Sequence, residues 1–291
     1  MFIPPASPGL DIEAEIPLAA YIFRRLQSIG IGHIFGCPGD FNLNLLDHLY
    51  TVPGVQWVGT CNELNAAYAA DGYARVRGIP GALVTTYGVG ELSAINGISG
   101  AYAEHLPVIH IVGTTSRRAI RNRTMIHHTL GEEWDHLTFS RMSEPVRSGA
   151  VWLDCDETFA EDVDRIIELC VKMRKPVYIF IPMDVPDLII SSKRLKTPLD
   201  LQIKNPESES ALEDEIVEQI QTLLKAASKP AILVDVLAHR YGLAAEVDEF
   251  LSLTNLKVSD WQTPLFGTKS GVYEVILTIT GFHNTTLEVN H

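Results

Sequence analysis

The sequence predicts an α/β protein: a doubly wound parallel sheet followed by an incomplete second α/β domain. Two observations carry this reading. Short apolar runs at 82–86, 108–113 and 177–182 alternate with segments of helical period. Strands that are apolar throughout belong to parallel sheets covered on both faces, and their alternation with helices is the doubly wound pattern. The second observation is the segment 62–75, where Ala66, Ala67, Ala70 and Ala74 fall three or four apart. That spacing makes one narrow helical face that can pack closely on another element.

Taken in order, residues 12–28 read as an amphipathic helix with Ile16, Leu18, Ala19, Ile22, Phe23 and Leu26 apolar, ended by Gly30 and Gly32. A short buried strand spans 33–36, and Pro38-Gly39-Asp40 is turn chemistry. Asp40 or Asn42 is placed to cap a helix carrying Leu43, Leu46, Leu49 and Tyr50. A second strand at 55–59 feeds the small-residue helix, which Gly78 and Pro80 close. The strand at 82–86 leads through the turn Tyr87-Gly88-Val89-Gly90 to a helix over about 91–105, and 108–113 is the fourth strand. A polar loop with His127 and His128 follows, then the stretch 134–142, a helix over 158–174 and a strand at 177–182. The first domain is thus expected to occupy 1–190. A polar linker with little that could pack is expected over 191–210. The second unit, 211–291, is expected to hold helices at 212–227 and 243–253 and strands at 231–235 and 256–259. The run 272–280 has strand composition, and 281–291 reads as a divergent tail.

The chain has 291 residues, 46% hydrophobic and 20% charged, which is ordinary for a globular protein. Its net charge of −13 argues against nucleic acid and anionic membrane surfaces as partners. No apolar run approaches the ~20 residues that span a bilayer, and the opening residues lack a basic, then apolar, leader pattern. Cys37, Cys61, Cys155 and Cys170 form no CxxC and no metal-ligand spacing with histidine, so a reduced, cytoplasmic setting is expected. Gly88-Val89-Gly90 opens like a dinucleotide fingerprint, but Ser93 stands at the third glycine, which argues against a Rossmann enzyme.

Glu63 lies in the first turn of its helix at a strand-to-helix junction. An acid there can simply stabilise the helix start, but the junction is also the edge where open α/β sheets place ligands. The wording around it decides between these readings. Gly36-Cys37-Pro38-Gly39-Asp40-Phe41-Asn42-Leu43, the Glu63 segment, Thr86-Tyr87-Gly88-Val89-Gly90-Glu91-Leu92-Ser93 and Ile126-His127-His128-Thr129-Leu130-Gly131 together resemble the thiamine-diphosphate-dependent 2-oxo-acid decarboxylases, the fungal pyruvate decarboxylases above all. The resemblance covers residues ~12–265 and is most specific over ~33–145.

The resemblance implies that Glu63 hydrogen-bonds a pyrimidine nitrogen of thiamine diphosphate. It implies that Pro38, Gly39, Gly88 and Val89 line the pyrimidine pocket, and that Asp40, His127 and His128 relay protons. The reaction implied is the non-oxidative decarboxylation of a 2-oxo acid, pyruvate favoured, to an aldehyde and CO2 through a C2 carbanion of the cofactor. Cys37 departs from the aliphatic residue more usual before Pro38. In this family Mg2+ and the diphosphate are held by a further domain through Gly-Asp-Gly and Asn-Asn motifs, and this sequence contains neither. A truncated form of a longer oligomeric enzyme is therefore expected. The alternative is a non-catalytic chain that associates with full-length subunits and modulates them.

Overall fold

The computed structural model describes residues 14–202, 210–228, 230–254, 256–260 and 275–279. The chain divides into two compact units, Met1–Gln202 and Ile203–His291. The beginning of the expected first helix, the middle of the expected linker and the tail 281–291 lie outside the described residues.

The first unit is built on a six-stranded parallel sheet: β2 (His33–Gly36), β3 (Gln56–Gly59), β4 (Gly81–Thr86), β5 (Val108–Thr114), β6 (Gly149–Trp152) and β7 (Val177–Pro182). Its order is β3-β2-β4-β5-β7-β6. Every residue of β5 and β7 is buried, as their unbroken apolar composition requires. One face is covered by α1 (Leu18–Ser28) and α7 (Phe159–Met173), the other by α3 (Glu63–Arg77) and α4 (Val89–Ala103). On α3 the buried residues are Ala66, Ala67, Ala70 and Ala74. The approach is so close that a Cβ on Gly97 of α4 would sit 2.7 Å from the Ala67 Cβ. Gly78, at φ 67°, ends α3 in the left-handed region that glycine alone enters freely.

Several elements differ from expectation for identifiable reasons. The first helix begins at Leu18, because residues before it form β1 (Glu15–Pro17), which pairs antiparallel with β8 (Ile189–Ser191). The Asn42 side chain does not cap α2 (Leu43–Asp47); its Oδ1 accepts from the Gly39 N–H at 2.9 Å and its Nδ2 donates to the Cys37 carbonyl at 3.1 Å. Asn42 thus closes the preceding turn. Beyond Ser191 the chain still packs: Leu195, Leu199 and Leu201 lie against the core, and Ser192 is buried.

A buried ion cluster fixes that return. Arg25 of α1 donates to both oxygens of Asp164 on α7, at 2.6 and 2.8 Å. Tyr21 Oη donates to the same carboxylate at 2.7 Å and Arg194 Nε at 3.0 Å. Arg25 also donates to the carbonyls of Thr197 and Arg194. Every charge in this cluster meets an opposite charge or a strong acceptor, the condition under which buried ions persist.

The second unit carries a parallel three-stranded sheet, β10 (Lys257–Asp260), β9 (Pro230–Val234) and β11 (Val275–Ile279), in the order β10-β9-β11. Its helices are α8 (Ser210–Ala226), α9 (Val236–Arg240) and α10 (Ala244–Thr254). Strand β11 falls in the run of strand composition, and α9 is a short helix beyond the two expected. Asp235 accepts from the Val236 N–H and opens α9.

Candidate active site

In a parallel sheet all strands end on the same edge. The candidate residues follow four neighbours in the order β3-β2-β4-β5: Glu63 after β3, Pro38 to Asp40 after β2, Gly88 and Val89 after β4, and His127 and His128 after β5. The order in which strands are added reverses between β2 and β4, and open α/β sheets bind ligands in the crevice at such a switch point. The walls of that crevice are close: a Cβ on Gly39 would lie 2.7 Å from the Thr86 Cβ.

Glu63 opens α3 behind an N-cap, Asn62, whose side chain accepts from the Asn65 N–H at 3.0 Å. Asn62 takes over the capping duty that the Glu63 carboxylate would otherwise share. Among the described residues that half-buried carboxylate has no hydrogen-bond or ion-pair partner. It faces the start of α4, where a Cβ on Gly90 would sit 3.0 Å from its Oε1.

Asp40, His127 and His128 form a second group. His127 Nε2 lies 3.4 Å from Asp40 Oδ2, and both side chains are more than half exposed. The His127 ring stacks on Phe41 at 5.0 Å and meets the His128 ring edge-on at 4.8 Å. Beneath them Phe41, Tyr87 and Phe139 make a small buried aromatic cluster. No hydrogen bond or ion pair joins Glu63 to Asp40, His127 or His128 among the described residues. Pro38 and Val89 are exposed, Val89 presenting an apolar side chain 55% open to solvent.

Two buried groups went unnoticed in the sequence. His136 donates from Nε2 to the Thr124 carbonyl at 2.9 Å and bonds Thr115 Oγ1 through Nδ1 at 2.7 Å, and so ties down the loop that carries His127. Glu91, 3% exposed, accepts the Gly88 N–H at 3.0 Å through Oε1, while its Oε2 is buried without a partner. Burial pushes its carboxyl up to about 7, against the opposing pull of the Gly88 N–H and the Arg147 charge. A first-turn glutamate normally signals a solvated helix start, so nothing in its spacing announced burial.

Residues 16–139 match the protein-family model described as the thiamine pyrophosphate enzyme N-terminal TPP binding domain. Within the first unit, residues 16–139 are a TPP-enzyme N-terminal domain. Similarity extends beyond the matched stretch. The chain is 42% identical over 258 residues to pyruvate decarboxylase of Kluyveromyces lactis, covering 89% of this chain and 44% of that protein. It is 42% identical over the same length, and the same shares, to pyruvate decarboxylase isozyme 1 of Saccharomyces cerevisiae. With pyruvate decarboxylase of Aspergillus fumigatus it shares 44% over 246 residues, 84% of this chain and 42% of that protein. The chain thus spans less than half the length of the curated relatives it matches.

The TPP-binding domain fits the cofactor on its own geometry. An unpartnered carboxyl at a strand-to-helix junction is free to share a proton with a ring nitrogen, and the Thr86 side chain, which borders Gly90 as Glu63 does, has a buried hydroxyl with no partner among the described residues. Among the described residues no group of three or more His, Cys, Asp or Glu is placed to hold a metal ion. No helix of the described residues is long and apolar enough to cross a membrane.

Proposed function

We propose that this domain binds the aminopyrimidine end of thiamine diphosphate in the crevice between β2 and β4, and that it serves the non-oxidative decarboxylation of a 2-oxo acid, pyruvate foremost, to an aldehyde and CO2. The observation that carries the reading is the Glu63 carboxylate, held rigidly at the start of α3 with its hydrogen-bonding capacity unused. When bound, thiamine diphosphate supplies a thiazolium ring that accepts the electron pair left by departing CO2.

The chain's own residues do the rest. Glu63 shares a proton with a pyrimidine ring nitrogen and so selects its tautomer. Gly39, Gly88 and Gly90 let backbone approach the ring, and Pro38 and Val89 give it apolar contact. Asp40, His127 and His128 stand beside one another, which suits them to relay a proton at the reacting carbon, with Asp40 orienting His127. Phe41, Tyr87 and Phe139 exclude water from the floor. The proposal includes a cytoplasmic setting and assembly with other subunits, either copies of this chain or longer ones. We assign no residue of this chain to Mg2+.

Two readouts test the proposal. Thiamine diphosphate added to the 15N-labelled chain is expected to shift the amides of Gly39, Glu63 and Gly88 to Gly90, and Glu63→Gln to weaken that response. Shifts elsewhere, or none, would reject the site. Aldehyde release from pyruvate with thiamine diphosphate and Mg2+ is expected to fall ~100-fold or more in Glu63→Gln, the scale of a positioned proton-transfer group. Circular dichroism should not change.

A further inference from the structure

The turn from Gly88 to Gly90 separates the two groups of candidate catalytic residues and touches both. On one side Gly90 abuts the Glu63 carboxylate, where an added Cβ would be 3.0 Å from Oε1. On the other, a Cβ on Gly88 would meet the His128 Cβ at 3.0 Å and the Phe139 ring at 3.2 Å. Gly88 and His128 both stand at φ 76°, so two residues of positive φ pack against each other. For His128 that conformation is strained, and strained backbone persists only where its surroundings enforce it. On the Gly88 side the N–H is held by one side chain, Glu91, whose Oε1 accepts it and closes the turn, while the Gly88 carbonyl accepts from the Leu92 N–H.

We propose that Glu91 is a positioning residue of the cofactor pocket, holding the Gly88–Gly90 turn in the one shape that sets Glu63 and His128 on its two sides. This rests on the pocket assignment above and deepens it. Glu91 touches no candidate substrate atom; it acts through the backbone of Gly88. A plain helix cap would need neither burial nor an unbonded second oxygen, and exposed caps do the same work with water on the far side. Here Oε2 is buried away from solvent and has no hydrogen-bond partner among the described residues. The charge that acts on this carboxyl is Arg147, ahead of β6; the carboxyl in turn raises the Tyr178 hydroxyl on β7 and the Tyr87 hydroxyl beside Gly88, which Asp135 raises as well. Arg147 makes its ion pair with Glu144 at 3.8 Å, so its help to Glu91 is at a distance. The turn is consequently held by a carboxyl that changes charge close to neutral pH.

The test follows the turn itself by NMR of the 15N-labelled full chain, without cofactor. The Gly88 amide proton is expected to move with pH with a midpoint near 7 in the native protein. It should stay flat in Glu91→Gln, which keeps an acceptor for Gly88 and removes the titration. In Glu91→Ala, which removes the acceptor, Gly88 amide exchange should quicken at least tenfold and the Val89 and His128 backbone resonances should shift. The amide of Ile111 in β5 should hold its protection. A Gly88 amide with no titration near 7, or one that titrates equally in Glu91→Gln, would overturn the proposal. So would an equal loss of protection at Gly88 and Ile111 in Glu91→Ala, which marks a merely structural residue. These readouts need no bound cofactor, so a failed pocket assignment, seen as no response to thiamine diphosphate, is told apart from a failed role for Glu91.

Discussion

Among its described residues the first unit buries two carboxylates, Asp164 and Glu91, and treats them in opposite ways. Asp164 accepts from Tyr21, Arg25 and Arg194, so both its oxygens are occupied and its charge is matched. Glu91 has one backbone N–H and an idle oxygen. The first lies between α1, α7 and the returning chain, far along the sequence from any candidate catalytic residue; the second lies in the turn between Glu63 and His128. A saturated ion cluster holds one shape and responds to little. A half-satisfied carboxyl costs stability when charged and changes with its surroundings. Stability and responsiveness are thus assigned to different faces of one sheet.

Removing the saturated carboxylate should do the most damage. Asp164→Ala leaves Arg25 buried and unpaired, a change worth about 3–5 kcal/mol in comparable cases, read as a lower urea midpoint. It should leave the Gly88 amide titration unmoved; if that titration moved too, the two faces would not be independent.

The pH dependence of stability sharpens the contrast at smaller cost. Glu91 is raised to about 7 when folded, so the fold binds its proton more tightly than the unfolded chain does. Its contribution therefore declines as pH rises from about 4.5 to 7 and is level above that. His110, fully buried with Thr85 at 2.8 Å on one nitrogen, is pushed down to about 3. Its contribution is complete above 6.5 and is lost as pH falls toward 3. Between 4.5 and 6.5 the two slopes oppose. Glu91→Gln removes one of them, so the variant should lose stability more steeply than the parent as pH falls through that window. The difference between the two proteins should change by up to about 3 kcal/mol from pH 8 to 4.5, since each tenfold difference in proton affinity between folded and unfolded chain is worth about 1.4 kcal/mol. Parallel curves would refute the buried, singly bonded state of Glu91.

Arg194→Ala should matter least. Its guanidinium is half exposed, and Asp164 keeps Arg25 and Tyr21. A loss of under about 1 kcal/mol in thermal or urea unfolding is expected.

Much of this architecture was legible in residue order. The runs behind β4, β5 and β7 are long and apolar, the alanines of α3 sit at helical spacing, and Gly78 stands where a left-handed cap is needed. The resemblance also named residues whose loops the fold gathers on one sheet edge. What escaped was set by tertiary contact. Strand β6 has four residues, of which Val151 alone is fully buried, so its pattern is too short to declare itself. Strands β1 and β8, three residues each, exist only because they pair with one another. Asn42 resembles a helix cap in sequence, yet its amide finds better partners in the turn behind it. Glu91 and His136 are polar residues in ordinary surroundings of sequence, and burial, the property that makes them informative, belongs to the folded chain.

The pairing of β1 with β8 also dictates when this unit can finish during synthesis. Ser192 bonds the Ala14 carbonyl across 178 positions, and Arg25 meets Asp164 across 139. Loop closure over such spans comes late, after the local β-α-β pieces have formed. A ribosome must therefore deliver Asp164 before helix α1 can neutralise its buried arginine, and Thr197 before the last hydrogen bond of that arginine can form. Until then the growing chain exposes the apolar face of α1, and that interval is when chaperones have most to protect.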